Sequence, residues 1–459
     1  MNAKNRIVLF SLILFWLCAA VVFHYASKNS SWNAINMQMK VIDVIPKADP
    51  MDIFVLSPDG ALMAHYVARI DSPPAFRGKT LEIREVNSSK QIASIQLPVT
   101  PIPNGPPAIN QLRYCDRGNY LLAIGSDEKI YVVDTRTYQL HTTIDLNPFE
   151  YPPPPEVLAN RKRLNINYTG RSGGLSFSSC AANAPTAAFS IYYESGMGAI
   201  EIFNLDTGSQ VAGLSYAPLL GGVEGVTVSP LGETIALLQI GYLQDGKSIG
   251  NDIHGTDIQA ESVTIIDLRT QGASRTIHVS SDNYPTSEHP IAYAGEKTVA
   301  VELLSVEPGV HTTSGEFYYH YRASVHFFDI DSGSEVQMIA DPNADDFNIW
   351  GMSANGRTML AYSGKSYICT SCNKGTGQKE ITDARFTLWD RESGKMIVQS
   401  PSLKVIHHEC PWYRFTFSCT TSDETPVLAL SQSGNAVIAS WTSGGEPIKV
   451  YTLTSLQNK

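Results

Sequence analysis

The chain has 459 residues, of which 43% are hydrophobic, and its formal net charge at pH 7 is −10. That hydrophobic fraction is sufficient for a packed core and excludes wholesale disorder. The acidic balance argues against a nucleic-acid-binding protein, because such proteins present a basic surface to the phosphate backbone.

An apolar stretch lies close to the amino terminus. No Lys, Arg, Asp or Glu occurs between Arg6 and Lys28, and a helix of that length would span the hydrocarbon core of a bilayer. Because positive flanks stay in the cytoplasm, we predict a single-pass anchor with the rest of the chain on the extracytoplasmic side, periplasmic or extracellular. A signal peptide cleaved after Ala20 is the alternative. The predicted segments are a cytoplasmic stub at 1–6, a transmembrane signal anchor at 7–26, a linker at 27–38 and a folded domain at 39–459.

A unit of four short strands recurs along that folded domain. In the clearest unit, residues 349–400, alternating runs are separated by turns that contain Asn-Gly or Ser-Gly, which tolerate a positive φ. The end of the third strand marks the repeat seven times, mostly with an acid or an amide. These positions are Glu85, Asp134, Asn204, Asp267, Asp329, Asp390 and Thr452. Since an Asp or Asn that opens such a turn caps the turn backbone, we predict that these side chains are structural.

Two turn motifs and the spacing of the units identify the repeat. The first is Ser57-Pro58-Asp59-Gly60, and the second is the Asp-x-x-Ser-Gly-like turn at residues 329–333 and 390–394. Together they resemble seven-bladed β-propellers of the WD40 and YVTN type. The resemblance implies an all-β, seven-bladed propeller closed by an N-terminal strand, in which residues 39–45 pair with residues 448–453. Ring closure would remove exposed sheet edges.

The predicted long connections all fall on one side of the disc. Because consecutive strands are antiparallel, connections alternate between the two faces, and the second-to-third and blade-to-blade connections share one face. We call this the insert face, and we predict that it binds a protein partner, since function concentrates on such loops. Drift in tolerant loops is the alternative. The long connections are predicted at 70–79, 98–108, 147–170, 241–260, 305–321, 364–383 and 401–425.

Aromatic residues are frequent in these connections. Exposed aromatics favour protein or glycan contacts, although they equally suit packing against each other to hold long loops in place. The predicted partner-binding residues are Tyr151, Phe317, Tyr318, Tyr319, Tyr367, Trp412 and Tyr413.

Six of the seven cysteines are disulfide candidates. Four lie in two neighbouring inserts of the same face, and in an exported domain they favour disulfides. The alternative is a zinc site, since His407, His408 and Glu409 lie close by in the sequence. Cys115 and Cys180 lie near the first-to-second turns of adjacent blades, on the opposite face, where they either bridge or remain two buried thiols. The four cysteines of the insert face are Cys369, Cys372, Cys410 and Cys419.

No motif points to catalysis. Residues 170–174 match G-x-S-x-G, but they lack the preceding strand and following helix of a nucleophile elbow. The sequence contains no P-loop, G-x-G-x-x-G or HExxH motif. It therefore favours a membrane-anchored scaffold that binds a protein, with no cofactor, metal or catalytic residue. The alternative is a propeller hydrolase resembling YVTN-like lactonases, whose sites use polar residues lining the central channel.

Overall fold

Seven sheets of four strands each make up the fold in the computed structural model of the chain. The structure describes residues 37–45, 52–67, 80–99, 109–146, 172–193, 198–216, 222–241, 260–270, 272–279, 290–311, 317–344, 346–369, 378–401, 426–441 and 448–455. Met39–Leu453 forms one compact unit.

The four strands of each blade are named in the order in which they pair, starting from the inner strand. Blade 1 contains β2 (Ile53–Leu56), β3 (Leu62–Val67), β4 (Thr80–Glu85) and β5 (Gln91–Gln96), and blade 2 contains β6 (Ile109–Cys115), β7 (Tyr120–Gly125), β8 (Lys129–Asp134) and β9 (Gln139–Asp145). Blade 3 contains β10 (Ser172–Cys180), β11 (Thr186–Tyr193), β12 (Gly198–Asn204) and β13 (Ser209–Tyr216), and blade 4 contains β14 (Gly222–Val228), β15 (Thr234–Gly241), β16 (Ala260–Asp267) and β17 (Gly272–Val279). Blade 5 contains β18 (Ile291–Tyr293), β19 (Thr298–His311), β20 (Phe317–Asp329) and β21 (Glu335–Ile339), and blade 6 contains β22 (Asp346–Met352), β23 (Thr358–Cys369), β24 (Gln378–Asp390) and β25 (Lys395–Gln399). Blade 7 contains β26 (Pro426–Leu430), β27 (Ala436–Trp441), β28 (Ile448–Ser455) and β1 (Met37–Ile45).

The blades form a closed ring. The first strand of every blade contacts the first strand of both neighbouring blades, from β2 through β6, β10, β14, β18, β22 and β26 and back to β2. In the last blade the strand order is β1-β28-β27-β26. The N-terminal strand therefore completes the sheet begun by the C-terminal strands. This confirms the predicted seven-bladed propeller and its closure, with β1 beginning two residues earlier than predicted.

The hydrophobic core consists of seven clusters, one at each interface between adjacent blades. One cluster joins blades 2 and 3 through residues such as Ile124 and Ile191, and another joins blades 7 and 1 through residues such as Val44 and Phe54. The same arrangement holds at the other five interfaces. Burial of alternate strand residues between sheets is the main driving force for stacking them around the axis.

Six outer strands share a β-bulge. The register slips by one residue in β5, β9, β13, β17, β21 and β25, each time near the start of the strand. In three blades the extra residue is Ile92, Val211 or Val336, which are 44%, 45% and 53% exposed. Because a bulge breaks the ladder, it discourages these edges from pairing with another chain.

Two predicted connections of the insert face are instead strands. Residues 305–321 were expected as a connection, but β19 and β20 pair as far as His311 and Phe317. Likewise, within 364–383, β23 and β24 pair as far as Cys369 and Gln378. The alternating β-branched and aromatic residues of these stretches favour extension of the hairpin over an irregular loop.

Several predicted segments lie outside the described residues. They are the stub, the anchor and the predicted connections at 70–79, 98–108, 147–170, 241–260 and 401–425, apart from their end residues. In the described part of the chain, no helix is both long and apolar enough to cross a membrane.

Candidate functional site

The face opposite the insert face, here called the turn face, is built from short hydrogen-bonded turns. In four first-to-second turns a serine hydroxyl accepts a hydrogen bond from the backbone N–H five residues later. The acceptors are Ser57, Ser229, Ser353 and Ser431, at 2.9, 3.2, 2.8 and 3.0 Å from the amides of Leu62, Thr234, Thr358 and Ala436. These bonds fix the turns that the sequence motif indicated.

The turns of neighbouring blades are also bonded to each other. The Ser433 N–H donates to the Pro58 carbonyl at 2.8 Å, and the Ala354 N–H donates to the Gln432 carbonyl at 2.7 Å. In addition, Gln432 Nε2 reaches past blade 1 to the Tyr114 carbonyl of blade 2, at 2.9 Å. Backbone and side-chain hydrogen bonds therefore link the turns of blades 6, 7, 1 and 2 across the turn face.

The turns of blades 5 and 6 approach each other closely at Gly356. Its φ is +68°, and a Cβ built there would lie 2.1 Å from the backbone carbon of Ala294 in blade 5. Gly394 has a similar φ of +63°, but its nearest atom would be Gln337 Nε2 at 3.2 Å. We expect Gly356→Ala to cost about 3 kcal/mol of unfolding free energy and Gly394→Ala about 1 kcal/mol, measured by urea unfolding. Equal losses would contradict the close turn-to-turn contact.

A disulfide joins two adjacent blades at the turn face. Cys115, which ends β6, and Cys180, which ends β10, are bonded, with their Cα atoms 5.7 Å apart. This resolves the two sequence alternatives for the pair in favour of a bridge. The structure describes only the backbone of Cys369, at the end of β23, while Cys372, Cys410 and Cys419 lie outside the described residues. The pairing of these four remains a prediction.

The repeated acids cap turns, as predicted. Asp134 accepts hydrogen bonds from the backbone N–H of Arg136 at 2.8 Å and from its guanidinium at 2.6 Å, which lowers the pKa of Asp134 to about 2. Asp267 and Arg269 repeat this geometry two blades further on, with the pKa of Asp267 again lowered to about 2. Both carboxylates are thus held in the fold and are poor candidates for acid–base catalysis.

Blade 1 contains a buried charge cluster that the sequence analysis missed. His65 Nε2 lies 2.9 Å from Asp52 Oδ2, and His65 Nδ1 lies 3.8 Å from Glu82 Oε2. The Arg84 guanidinium donates to the same Glu82 oxygen at 2.7 Å. The His65 and Asp52 side chains are only 5% and 4% exposed. Their burial keeps them out of reach of an external substrate.

Glu201 is a second buried group that sequence reasoning missed. It lies in the middle of β12, opposite Phe189 of β11, and shares its side of the strand with Ala199 and Phe203. These neighbours belong to the apolar cluster between blades 2 and 3. Glu201 is 0% exposed, and neither carboxylate oxygen has a hydrogen-bond partner among the described residues. Burial raises the pKa of Glu201 to about 8.

Polar side chains link two inner strands near the channel. Arg113 Nε donates to Ser178 Oγ at 2.8 Å, and Ser178 Oγ donates to Gln111 Oε1 at 2.6 Å. Gln111 and Arg113 belong to β6, and Ser178 belongs to β10 of the next blade. The network ties the two first strands together and leaves Arg113 partly exposed.

The insert face bears two long hairpins on adjacent blades. Beyond Glu302, β19 pairs with β20 and, within the described strands, with no third strand; beyond Gly364, the same is true of β23 and β24. At about 3.3 Å per residue, these extensions, here called the blade 5 arm and the blade 6 arm, are about 30 Å and about 16 Å long. They are the most extended described features of the insert face.

The arms account for four of the seven predicted partner-binding residues. Phe317, Tyr318 and Tyr319 lie on β20, and Tyr367 lies on β23. These four positions therefore lie on the arms of two adjacent blades. The other three, Tyr151, Trp412 and Tyr413, lie outside the described residues.

The described part of the chain gives little support to the G-x-S-x-G match or to a metal site. Ser172, the serine of the G-x-S-x-G match, begins the inner strand β10 and has no helix after it. Among the described residues, no group of three or more His, Cys, Asp or Glu side chains is placed to hold a metal ion. His407 and His408, named for the zinc alternative, fall outside those residues.

Comparison with known proteins identifies similar folds only. No family model matches the chain, and no curated protein matches it. Hydrazine synthase from Kuenenia stuttgartiensis is 14% identical, with 90% of this chain and 97% of that chain covered and a TM-score of 0.49. A chain of a mitotic checkpoint complex is 12% identical, with 90% and 93% covered and a TM-score of 0.47. Neither similarity carries an inference about function.

Proposed function

We propose that the protein is a membrane-anchored, extracytoplasmic scaffold that binds a protein partner through its insert face. The main support for this proposal comes from the blade 5 arm and the blade 6 arm. Both arms have edges whose backbone N–H and C=O groups meet no third strand among the described residues. Such edges are suited to main-chain hydrogen bonds with an extended segment of a partner.

The distribution of titratable groups favours binding over catalysis. Asp134 and Asp267 are engaged as turn caps, and His65 and Glu201 are buried away from any ligand. A catalytic acid or base must lie within hydrogen-bond reach of its substrate, and turn capping or burial makes these four side chains poor candidates for that role. The hydrolase alternative remains a prediction without a matching set of described residues.

An oxidising compartment suits the described disulfide. Bridges such as Cys115–Cys180 persist outside the cytosol and are rare within it. This agrees with the predicted signal anchor, whose positive flank would leave the propeller on the extracytoplasmic side. A membrane fraction with the propeller accessible only to external protease would support this location.

Removal of the blade 6 arm tests the binding face. We expect a chain in which a two-residue turn replaces residues 365–382 to keep its melting temperature within a few degrees, because the arm lies beyond the four-stranded part of the blade. The proteins crosslinked to the parent chain in solubilised membranes, quantified by mass spectrometry, should be lost. The matched control is Arg269→Ala on the turn face, which should retain them. Retention of the same proteins by the arm variant would refute the face assignment.

A further inference from the structure

The interface between blades 7 and 1 is where the N-terminal strand closes the ring. Its apolar cluster contains Val44 of β1, Ile448 and Val450 of β28, and Phe54 of β2. The Phe54 ring stacks on the His65 imidazole with their centroids 5.3 Å apart. The buried charge cluster of blade 1 therefore lies directly against the apolar contacts that hold the closing blade.

Two carboxylates flank the His65 ring on its two nitrogen sides. Asp52 lies 2.9 Å from Nε2 and Glu82 lies 3.8 Å from Nδ1. A neutral imidazole has one N–H, whereas an imidazolium has an N–H on each side: Nε2 bonds to Asp52, and Nδ1, which has no hydrogen-bond partner among the described residues, faces the Glu82 carboxylate as an ion pair. With the Arg84 guanidinium beside Glu82, the protonated cluster has no net charge. Loss of the His65 proton would leave a net negative charge in an apolar interface, which is costly.

The described side chains of blade 7 that pack against this interface are apolar. In the described part of β1, β26, β27 and β28, the residues in the shared cluster are apolar: Ile42, Val44, Ala429, Ala436, Ile448 and Val450. The cation on the same side of β1 is Lys40, which is exposed. Asp52, Glu82 and Arg84 are the charged groups that the structure describes in this cluster with His65.

We propose that ring closure is coupled to a proton on His65, so that the imidazolium stabilises the interface between blades 7 and 1 and its deprotonation loosens β1. Burial alone would lower the pKa of His65, but the hydrogen bonds and charges of Asp52 and Glu82 outweigh it and raise that pKa above 6.5. The direction follows from linkage. The folded state holds a proton that the unfolded state has released, so stabilisation is complete below pH 6.5 and is lost as the pH rises through the folded pKa of His65.

Hydrogen exchange of β1 and β28 tests this coupling in the full-length chain, between pH 6 and 9 and corrected for the intrinsic exchange rate. We expect protection of residues 37–45 to fall about tenfold for each unit by which the pKa of His65 is raised, with β22–β25 of blade 6 as an internal reference. His65→Gln should remove the pH dependence of β1. The matched control is His326→Gln in blade 5, where His326 Nδ1 lies 3.2 Å from Glu335 Oε2. This variant should leave the pH dependence of β1 intact.

A second variant keeps the test decisive if His65→Gln does not fold. Glu82→Gln removes one charge next to the imidazole and leaves the contact with Asp52, so the midpoint of the β1 transition should move to lower pH. An unchanged midpoint in Glu82→Gln, or an equal pH dependence of β1 in His65→Gln and the parent chain, would overturn the proposal. Protection of β1 that is constant over the whole pH range would also overturn it.

Discussion

Replacement of Glu201 by Gln is expected to stabilise the protein at alkaline pH and to flatten its stability profile. Glu201 is fully buried in apolar surroundings, and its folded pKa of about 8 exceeds the unfolded value of 4.5. Between these values the folded state holds a proton that the unfolded state has lost, so the unfolding free energy of the parent chain falls as the pH rises. At about 1.4 kcal/mol per pKa unit, the whole window corresponds to a loss on the order of 5 kcal/mol.

The difference between Glu201→Gln and the parent chain isolates this group from all other titrations. Urea unfolding at pH 5, 7 and 9 should give nearly equal stabilities at pH 5 and a growing advantage of the variant toward pH 9. A matched control is Glu302→Gln, since Glu302 is equally buried but accepts a hydrogen bond from the Ile349 N–H at 3.2 Å. Parallel pH profiles for Glu201→Gln and the parent chain would show that Glu201 is ionised in the folded protein.

Loss of the Cys115–Cys180 bridge is the second change for which we expect a large effect. The bond closes a loop across a sequence separation of 65 residues. Its removal restores conformational entropy to the unfolded chain, which corresponds to about 4 kcal/mol in the loop-entropy treatment. The chain with both Cys115→Ala and Cys180→Ala should therefore unfold at a lower urea concentration than the parent chain, under non-reducing conditions.

The double variant is more informative than chemical reduction, because a reductant acts on every disulfide in the chain. The reduced parent chain and the non-reduced double variant should have the same stability if Cys115–Cys180 is the bridge that stabilises the fold. Near-identical unfolding midpoints of the oxidised parent and the double variant would contradict the stabilising role. The single variants should resemble the double variant, since neither can form the bond.

The seven-bladed pattern could be predicted from the sequence because the residues that form each turn lie close together in the chain. Ser57 and Ser353 occupy the same place in their turns, and their hydroxyls make the same hydrogen bond in the structure. Six fourth strands against seven third strands required a strand from elsewhere, and residues 39–45 supplied it. Asp134 and Asp267 likewise revealed their capping role, because an acid ahead of a turn contacts amides two or three residues away.

Contacts between residues far apart in the chain could not be predicted in the same way. His65 and Glu201 sit in short strands, and one sequence does not tell which side chains meet across a blade interface or whether a carboxylate there finds a partner. The bridge between Cys115 and Cys180 depended on a Cα separation of 5.7 Å that spacing along the chain does not determine. The arms of blades 5 and 6 were wrongly predicted as irregular connections, because these segments are long for a hairpin loop. Their alternating β-branched and aromatic residues were the signal that favoured strands.

The interface between blades 2 and 3 contains both the disulfide and the buried Glu201. The disulfide lies at its turn-face end, and Glu201 lies within its apolar cluster. A covalent link there offsets the cost of an unpaired buried carboxyl group. The interface between blades 7 and 1 has no such link among its described residues, and it depends on hydrophobic contacts, on the β1–β28 pairing and on the His65 cluster.

The central claim is that β1 completes the ring of seven blades, and calorimetry of a chain without residues 39–45 tests it most directly. Deletion would expose the edge of β28 and part of the cluster around Val44 and Phe54. Our account predicts a melting temperature lowered by several degrees and a broader transition of reduced enthalpy. A single transition with the temperature and enthalpy of the parent chain would contradict it.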